Sequence, residues 1–109
     1  MKRIYLASSS KGDRELLSIV AQELAHRGHF VFAPCLAFIG REIPEIRPQI
    51  LQVCFTTVIQ WAEALVILDE GIPSIGCENE SDIARVRGIP IYYAYKESLG
   101  ADINRLSLI

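Results

Sequence analysis

The residues able to do chemistry gather in two stretches. The first is Ser74-Ile75-Gly76-Cys77-Glu78-Asn79-Glu80-Ser81-Asp82-Ile83-Ala84, which follows the apolar run Ala64 to Leu68 and its terminal Asp69. Ser74 and Gly76 suit the start of a helix, because a hydroxyl caps free N–H groups and glycine lets a ligand approach the backbone. Glu80 falls about one turn inside that helix, and Ala84, four residues on, shares its face. Two roles fit Glu80. An acid near a helix N-terminus complements the macrodipole, as Glu78 and Asp82 also would; alternatively the carboxylate is a nucleophile aimed into a cleft. The second stretch is the turn Ser8-Ser9-Ser10-Lys11-Gly12, with hydroxyls, a cation and a glycine. Backbone N–H groups, a helix dipole and one positive charge fit such a turn for a phosphate; an ordinary serine-rich cap is the plainer alternative. Neither G-x-G-x-x-G nor G-x-x-x-x-G-K-[ST] occurs, so neither dinucleotide nor P-loop binding is supported.

Both stretches need elements to hold them. Lys2 to Ala7 is a short apolar run, read as a buried first strand. A helix follows from about Asp13, with Leu16, Leu17, Val20, Ala21, Leu24 and Ala25 repeating at three and four residues as one buried face. His26 and Arg27 give it a basic end and Gly28 a stop. His29 to Ala33 reads as a second strand, closed by Pro34. This strand–helix–strand unit implies a right-handed crossover and a parallel pair. Cys35 to Arg47 is the longest irregular stretch, and loops longer than usual in such units are often substrate covers. Pro48 suits the first turn of a second long helix. Its buried face is Ile50, Leu51, Cys54, Phe55, Val58, Ile59 and Ala62; with Val53 and Trp61 it is apolar enough for a subunit interface. Ala64 to Leu68 is the third strand and Ile89 to Ala94 the fourth, after Gly88. Residues 96–109 form a tail with a possible helix from Asp102 to Leu108. The expectation is an α/β, small flavodoxin/Rossmann-like three-layer sandwich with a four- to five-stranded parallel sheet, one domain over residues 1–109. In such sheets ligands bind outside the carboxyl ends of the strands, where both stretches lie.

Composition narrows the function classes. Of 109 residues, 50% are hydrophobic and 22% charged, the profile of a soluble globular chain. A net charge of −2 gives no electrostatic case for a nucleic-acid polymer or an anionic membrane as partner. No apolar run approaches the roughly 20 residues of a spanning helix. The start, Met1 to Ala7, is too short for a signal peptide, so a cytoplasmic protein is expected. Cys35, Cys54 and Cys77 form no C-x-x-C pair, and His26 and His29 sit around a helix end; no zinc pattern exists, and no metal or cofactor is expected.

Two motifs together resemble the nucleoside 2-deoxyribosyltransferase superfamily. One is Ile4-Tyr5-Leu6-Ala7-Ser8, similar to that family's tyrosine-bearing first strand and small-residue turn. The other is Ser74-x-Gly76, then Glu80, then Ala84, which has the spacing of the family's Asp or Ser, Gly, catalytic Glu and small helix residue. Gly88-Ile89-Pro90-Ile91 fits the following strand, so the resemblance runs from Lys2 to about Tyr93. Within the superfamily, Tyr5, Ser9, Lys11 and Gly12 are similar to the first turn of the 2'-deoxynucleoside 5'-phosphate N-hydrolases, and Ser74 to a serine that helps hold their 5'-phosphate. There is a departure. Phe55 stands where the family carries an Asp, eight residues ahead of the acidic position that Glu63 fills.

The resemblance implies cleavage or transfer of the N-glycosidic bond of a (deoxy)nucleoside or its 5'-monophosphate. Glu80 would be the nucleophile at the anomeric carbon, and Tyr5 would orient it; Tyr5 as a plain core aromatic is the alternative. Ser8, Ser9, Ser10, Lys11, Gly12, Ser74 and Gly76 would hold the sugar or phosphate, and Asp69 or Asp13 would stand in for the absent Asp. It also implies a homodimer or larger homo-oligomer. A non-catalytic nucleotide-binding sensor of the same fold is the other reading, and Phe55 is the feature that favours it.

Overall fold

Two apolar runs are buried on both faces, which makes them the centre of a sheet. They are β1 (Arg3–Ala7) and β3 (Ala64–Asp69) in a computed structural model that describes residues 2–40 and 42–98. Flanking them are β2 (Phe30–Phe32) beside β1 and β4 (Ile91–Tyr95) beside β3. All pairings are parallel and the order is β2-β1-β3-β4. The register sets Tyr5 opposite both Phe32 and Leu65, on one face of the sheet. Helices α1 (Arg14–His26), α3 (Arg47–Gln60) and α4 (Ile75–Arg87) return the chain between strands, and a short α2 (Pro34–Ala37) follows β2. This is the expected α/β, flavodoxin/Rossmann-like arrangement, with four strands among the described residues.

Strand alternation sorts the core into two layers. Ile4, Leu6, Val66 and Leu68 face α1, meeting Leu17, Val20 and Leu24. Tyr5, Ala7, Leu65 and Ile67 face the other way, onto Ile50, Cys54 and Val58 of α3 and Ala84 of α4. Each fully buried Leu or Ile contributes about 1.5–3 kcal/mol. Alanine at 84 lets α4 lie close to the sheet. Gly88 ends α4 with φ at 78°, a left-handed cap that a Cβ would strain. Arg87 ties the layer together: its Nη1 donates to the carbonyls of Val58 at 3.1 Å and Ala62 at 2.7 Å, at the end of α3.

The structure trims several sequence expectations. Helix α1 begins at Arg14, because Asp13 is its cap: Asp13 Oδ1 accepts Glu15 N–H at 2.9 Å and Leu16 N–H at 3.2 Å. Ala25 and Ile59 lie exposed at the margins of their helical faces rather than in the core. β2 is shorter than the His29 to Ala33 run. The stretch after Pro34 is not wholly irregular, since proline's fixed φ starts α2 there. β4 begins at Ile91, two residues late, although the Pro90 carbonyl already accepts Leu65 N–H at 3.0 Å. The helix expected from Asp102 to Leu108 lies outside the described residues. Among the described residues, no helix is long and apolar enough to cross a membrane.

Candidate active site

The chain leaves β1 towards β2 on one side and leaves β3 towards β4 on the other, so the order β2-β1-β3-β4 switches direction between β1 and β3. The loops after these strands splay apart there and open a crevice. One carries the Ser8–Gly12 turn, and the other runs from Glu70 into the Ser74–Ala84 stretch. A cavity of about 220 Å³ lies between them, with Ser8, Ser9, Ser10 and Lys11 on one wall and Ser74, Gly76 and Glu80 on the other. It adjoins a hollow of about 370 Å³ that shares Ser8 to Lys11 and Arg47 and reaches Gly12, Phe38 and Gly40.

Glu80 is 7% exposed, although it lines the crevice. It sits in the second turn of α4, whose start Ser74 caps by accepting Cys77 N–H on Oγ at 3.2 Å. The amides before Cys77 have no carbonyl within their own helix to meet, so the positive end of α4 lies at the crevice wall. A Cβ on Gly76 would meet only Ser74 Oγ, at 3.8 Å; its absence widens the wall rather than relieving a clash. Tyr5 lies behind this wall with no exposed surface. Its hydroxyl meets no partner at full hydrogen-bond geometry, yet is near enough to Glu80 for the carboxylate to act on it through charge and a loose hydrogen bond. Burial first, then the Glu80 charge, then Cys54 hold the phenol proton far above the usual tyrosine range. The phenol therefore keeps its proton beside the Glu80 carboxylate.

The serine turn is more self-contained than a phosphate cradle. Lys11 N–H donates to Ser9 Oγ at 3.2 Å and Gly12 N–H to the Ser9 carbonyl at 3.0 Å. The buried Ser8 accepts Cys35 Sγ on its carbonyl at 3.6 Å. Asp13 N–H donates to Glu70, at 3.1 Å to Oε1 and 3.2 Å to Oε2. The Lys11 side chain is exposed.

Not every expected residue joins the crevice. Asp69 lines a neighbouring hollow of about 570 Å³, which shares Ser9, Pro73, Ser74 and Cys77 with the crevice, and its Oδ1 accepts Gly71 N–H at 2.8 Å. It acts there as a turn residue. The Asp13 carboxylate caps α1. Phe55 is half-buried on α3 and lines none of these hollows. Glu63 sits at the opposite, amino edge of the sheet, where Oε1 accepts Arg3 N–H at 3.1 Å. The crevice also holds residues that pattern reading missed. Arg47 and Cys54, both from α3, line it, and Glu70 reaches the serine turn from β3. Arg47 leaves a trace in the sequence, since a cation in a first turn opposes the macrodipole and invites an anion nearby. Cys54 and Glu70 leave none, because their contacts join distant parts of the chain.

Lys11 and Arg47, the α4 N-terminus and the hydroxyls form a donor-rich cleft around one buried carboxylate. Such a cleft can seat a polar ligand and place an anionic oxygen against an electron-poor carbon. Among the described residues, no group of three or more His, Cys, Asp or Glu is placed to hold a metal ion. A comparison with curated proteins finds no match. A family described as a domain of unknown function, DUF4406, matches residues 2–93, which takes in all four strands to the middle of β4 and both walls of the crevice. The chain belongs to the DUF4406 family, a domain of unknown function.

Proposed function

We propose that the crevice cleaves or transfers the N-glycosidic bond of a (deoxy)nucleoside or its 5'-monophosphate. The observation that carries this reading is Glu80: a carboxylate 7% exposed, backed by a protonated Tyr5, at a crevice on the switch point of the sheet. Glu80 attacks the anomeric carbon from the face opposite the base. The transition state is oxocarbenium-like, so the carboxylate stabilises positive charge before the covalent bond forms. Tyr5 orients the attacking oxygen. Ser8, Ser9, Ser10, Lys11 and Ser74 hold sugar oxygens, and Arg47 the more anionic end. Among the described residues lining this cavity, Glu80 is the one carboxylate. The site therefore favours bases that leave readily without a strong protein acid. Water or a second base then takes the glycosyl group.

Phe55 supports a second reading, a nucleotide-binding sensor without turnover. Incubation with a panel of nucleosides and 5'-monophosphates, with chromatography for free base, separates the two. Base released by the wild type and not by Glu80→Ala supports the glycosidase. No release, with thermal shifts for some ligands, supports the sensor. The proposal extends to a cytoplasmic homodimer that docks through α3, where Val53 and Ile59 are about half exposed.

A further inference from the structure

The loop after β3 sends a carboxylate back across the switch point. Glu70 accepts Asp13 N–H on both oxygens. It packs on Gly12, where a Cβ would collide with Oε2. The neighbouring amides are engaged as well: Lys11 and Gly12 donate to Ser9, and Glu15 and Leu16 donate to Asp13. Gly12 thus makes room for part of the chain itself. A phosphate approaching the start of α1 meets a fixed negative charge on the amide it would use. We infer that Glu70 is a specificity-determining residue: it closes the Ser8–Gly12 turn to anions, so that the turn selects a ligand bearing a hydroxyl there over one bearing a phosphate. Resting on the reading above, this makes the neutral nucleoside the preferred substrate and the 5'-monophosphate the poorer one.

Two variants open the turn by different routes. Glu70→Ala removes the carboxylate. Gly12→Ala expels it, because the severe clash is with the tip of a flexible side chain and Gly12 has no left-handed φ; a milder contact with the Ser9 carbonyl at 3.2 Å adds a cost that does not depend on Glu70. The probe is inorganic phosphate, titrated at constant ionic strength against the 15N-labelled full chain and read at the Asp13 amide by NMR. In the wild type that amide stays unresponsive. In both variants it shifts saturably, at phosphate concentrations at least tenfold below any that move it in the wild type. Saturable wild-type binding equal to that of Glu70→Ala overturns the inference, as does an amide that stays silent in both variants. A thermal-unfolding cycle guards against misfolding: Gly12→Ala lowers Tm when Glu70 is present and much less in the Glu70→Ala background. The Ser9 contact leaves a residual loss in both backgrounds, and a loss no larger with Glu70 than without it overturns the packing on which the inference stands. No arm needs turnover, so failure of the glycosidase reading leaves the result readable.

Discussion

Replacing Tyr5 by phenylalanine tests the electrostatics around Glu80 through a number. Tyr5 has no exposed surface, and burial, then the Glu80 charge, raise its phenol well above the ordinary value. The folded chain therefore keeps this proton at pH values where the unfolded chain loses it, above about 10. The native state then binds one more proton than the unfolded state, so stability falls with pH. The contribution is fully present below pH 10 and is lost above it by about 1.4 kcal/mol per pH unit. By pH 11.5 the loss reaches about 2 kcal/mol. Tyr5→Phe has no such proton and lacks this slope. Near neutrality it differs from the wild type by only about 1 kcal/mol, since the hydroxyl it removes has no well-formed hydrogen bond. The assay is urea unfolding of both proteins from pH 8 to 11.5, and the quantity read is their stability difference. A difference that moves against the wild type by about 2 kcal/mol over that range supports the arrangement. A constant difference refutes it: the phenol would then ionise alike in both states, and Glu80 would not lie against a buried proton donor.

Glu80→Gln should abolish base release, by roughly a thousandfold or more, if Glu80 is the nucleophile. The same change should raise stability by about 1–2 kcal/mol, because a buried charge is removed while an acceptor for Tyr5 is kept; thermal unfolding beside the chromatographic assay checks both. Arg87→Ala strips a charged donor from the Val58 and Ala62 carbonyls and should cost about 2 kcal/mol in urea unfolding. Val53→Arg places a charge on the half-exposed face of α3; light scattering should read a dimer for the wild type and a monomer for the variant.

The alternation of strands and helices is legible because each element carries its own period. β1 and β3, buried on both faces, read as unbroken apolar runs, and α1 repeats at three and four residues. The site stretches are legible for a related reason. They directly follow strand ends, and sheets of this kind place ligands there. Elements without a period are not legible: α2 has only Pro34–Ala37, too short for a face to repeat. Nor does a period locate the edge of a face, which is why Ala25 and Ile59 look buried in the sequence and are exposed in the fold.

Gly12 marks where sequence reasoning about a site reaches its limit. A glycine just past a strand end, among hydroxyls and a lysine, reports that something comes close to the backbone. It does not say whether that neighbour is a ligand or another part of the chain. Here it is Glu70, 58 positions away, with the Asp13 amide between its oxygens. The distinction lies in the amides, since a turn that awaits an anion leaves its N–H groups open and here those of Lys11, Gly12 and Asp13 are engaged. The α4 wall differs: Gly76 has room around it, and the Ser74 hydroxyl caps the helix by accepting Cys77 N–H. On the reading proposed above, the start of α4 offers a ligand its backbone beside Glu80, and the start of α1 offers hydroxyls while Glu70 holds its Asp13 amide. The two glycine-bearing turns look equivalent in the sequence and divide those roles in the fold.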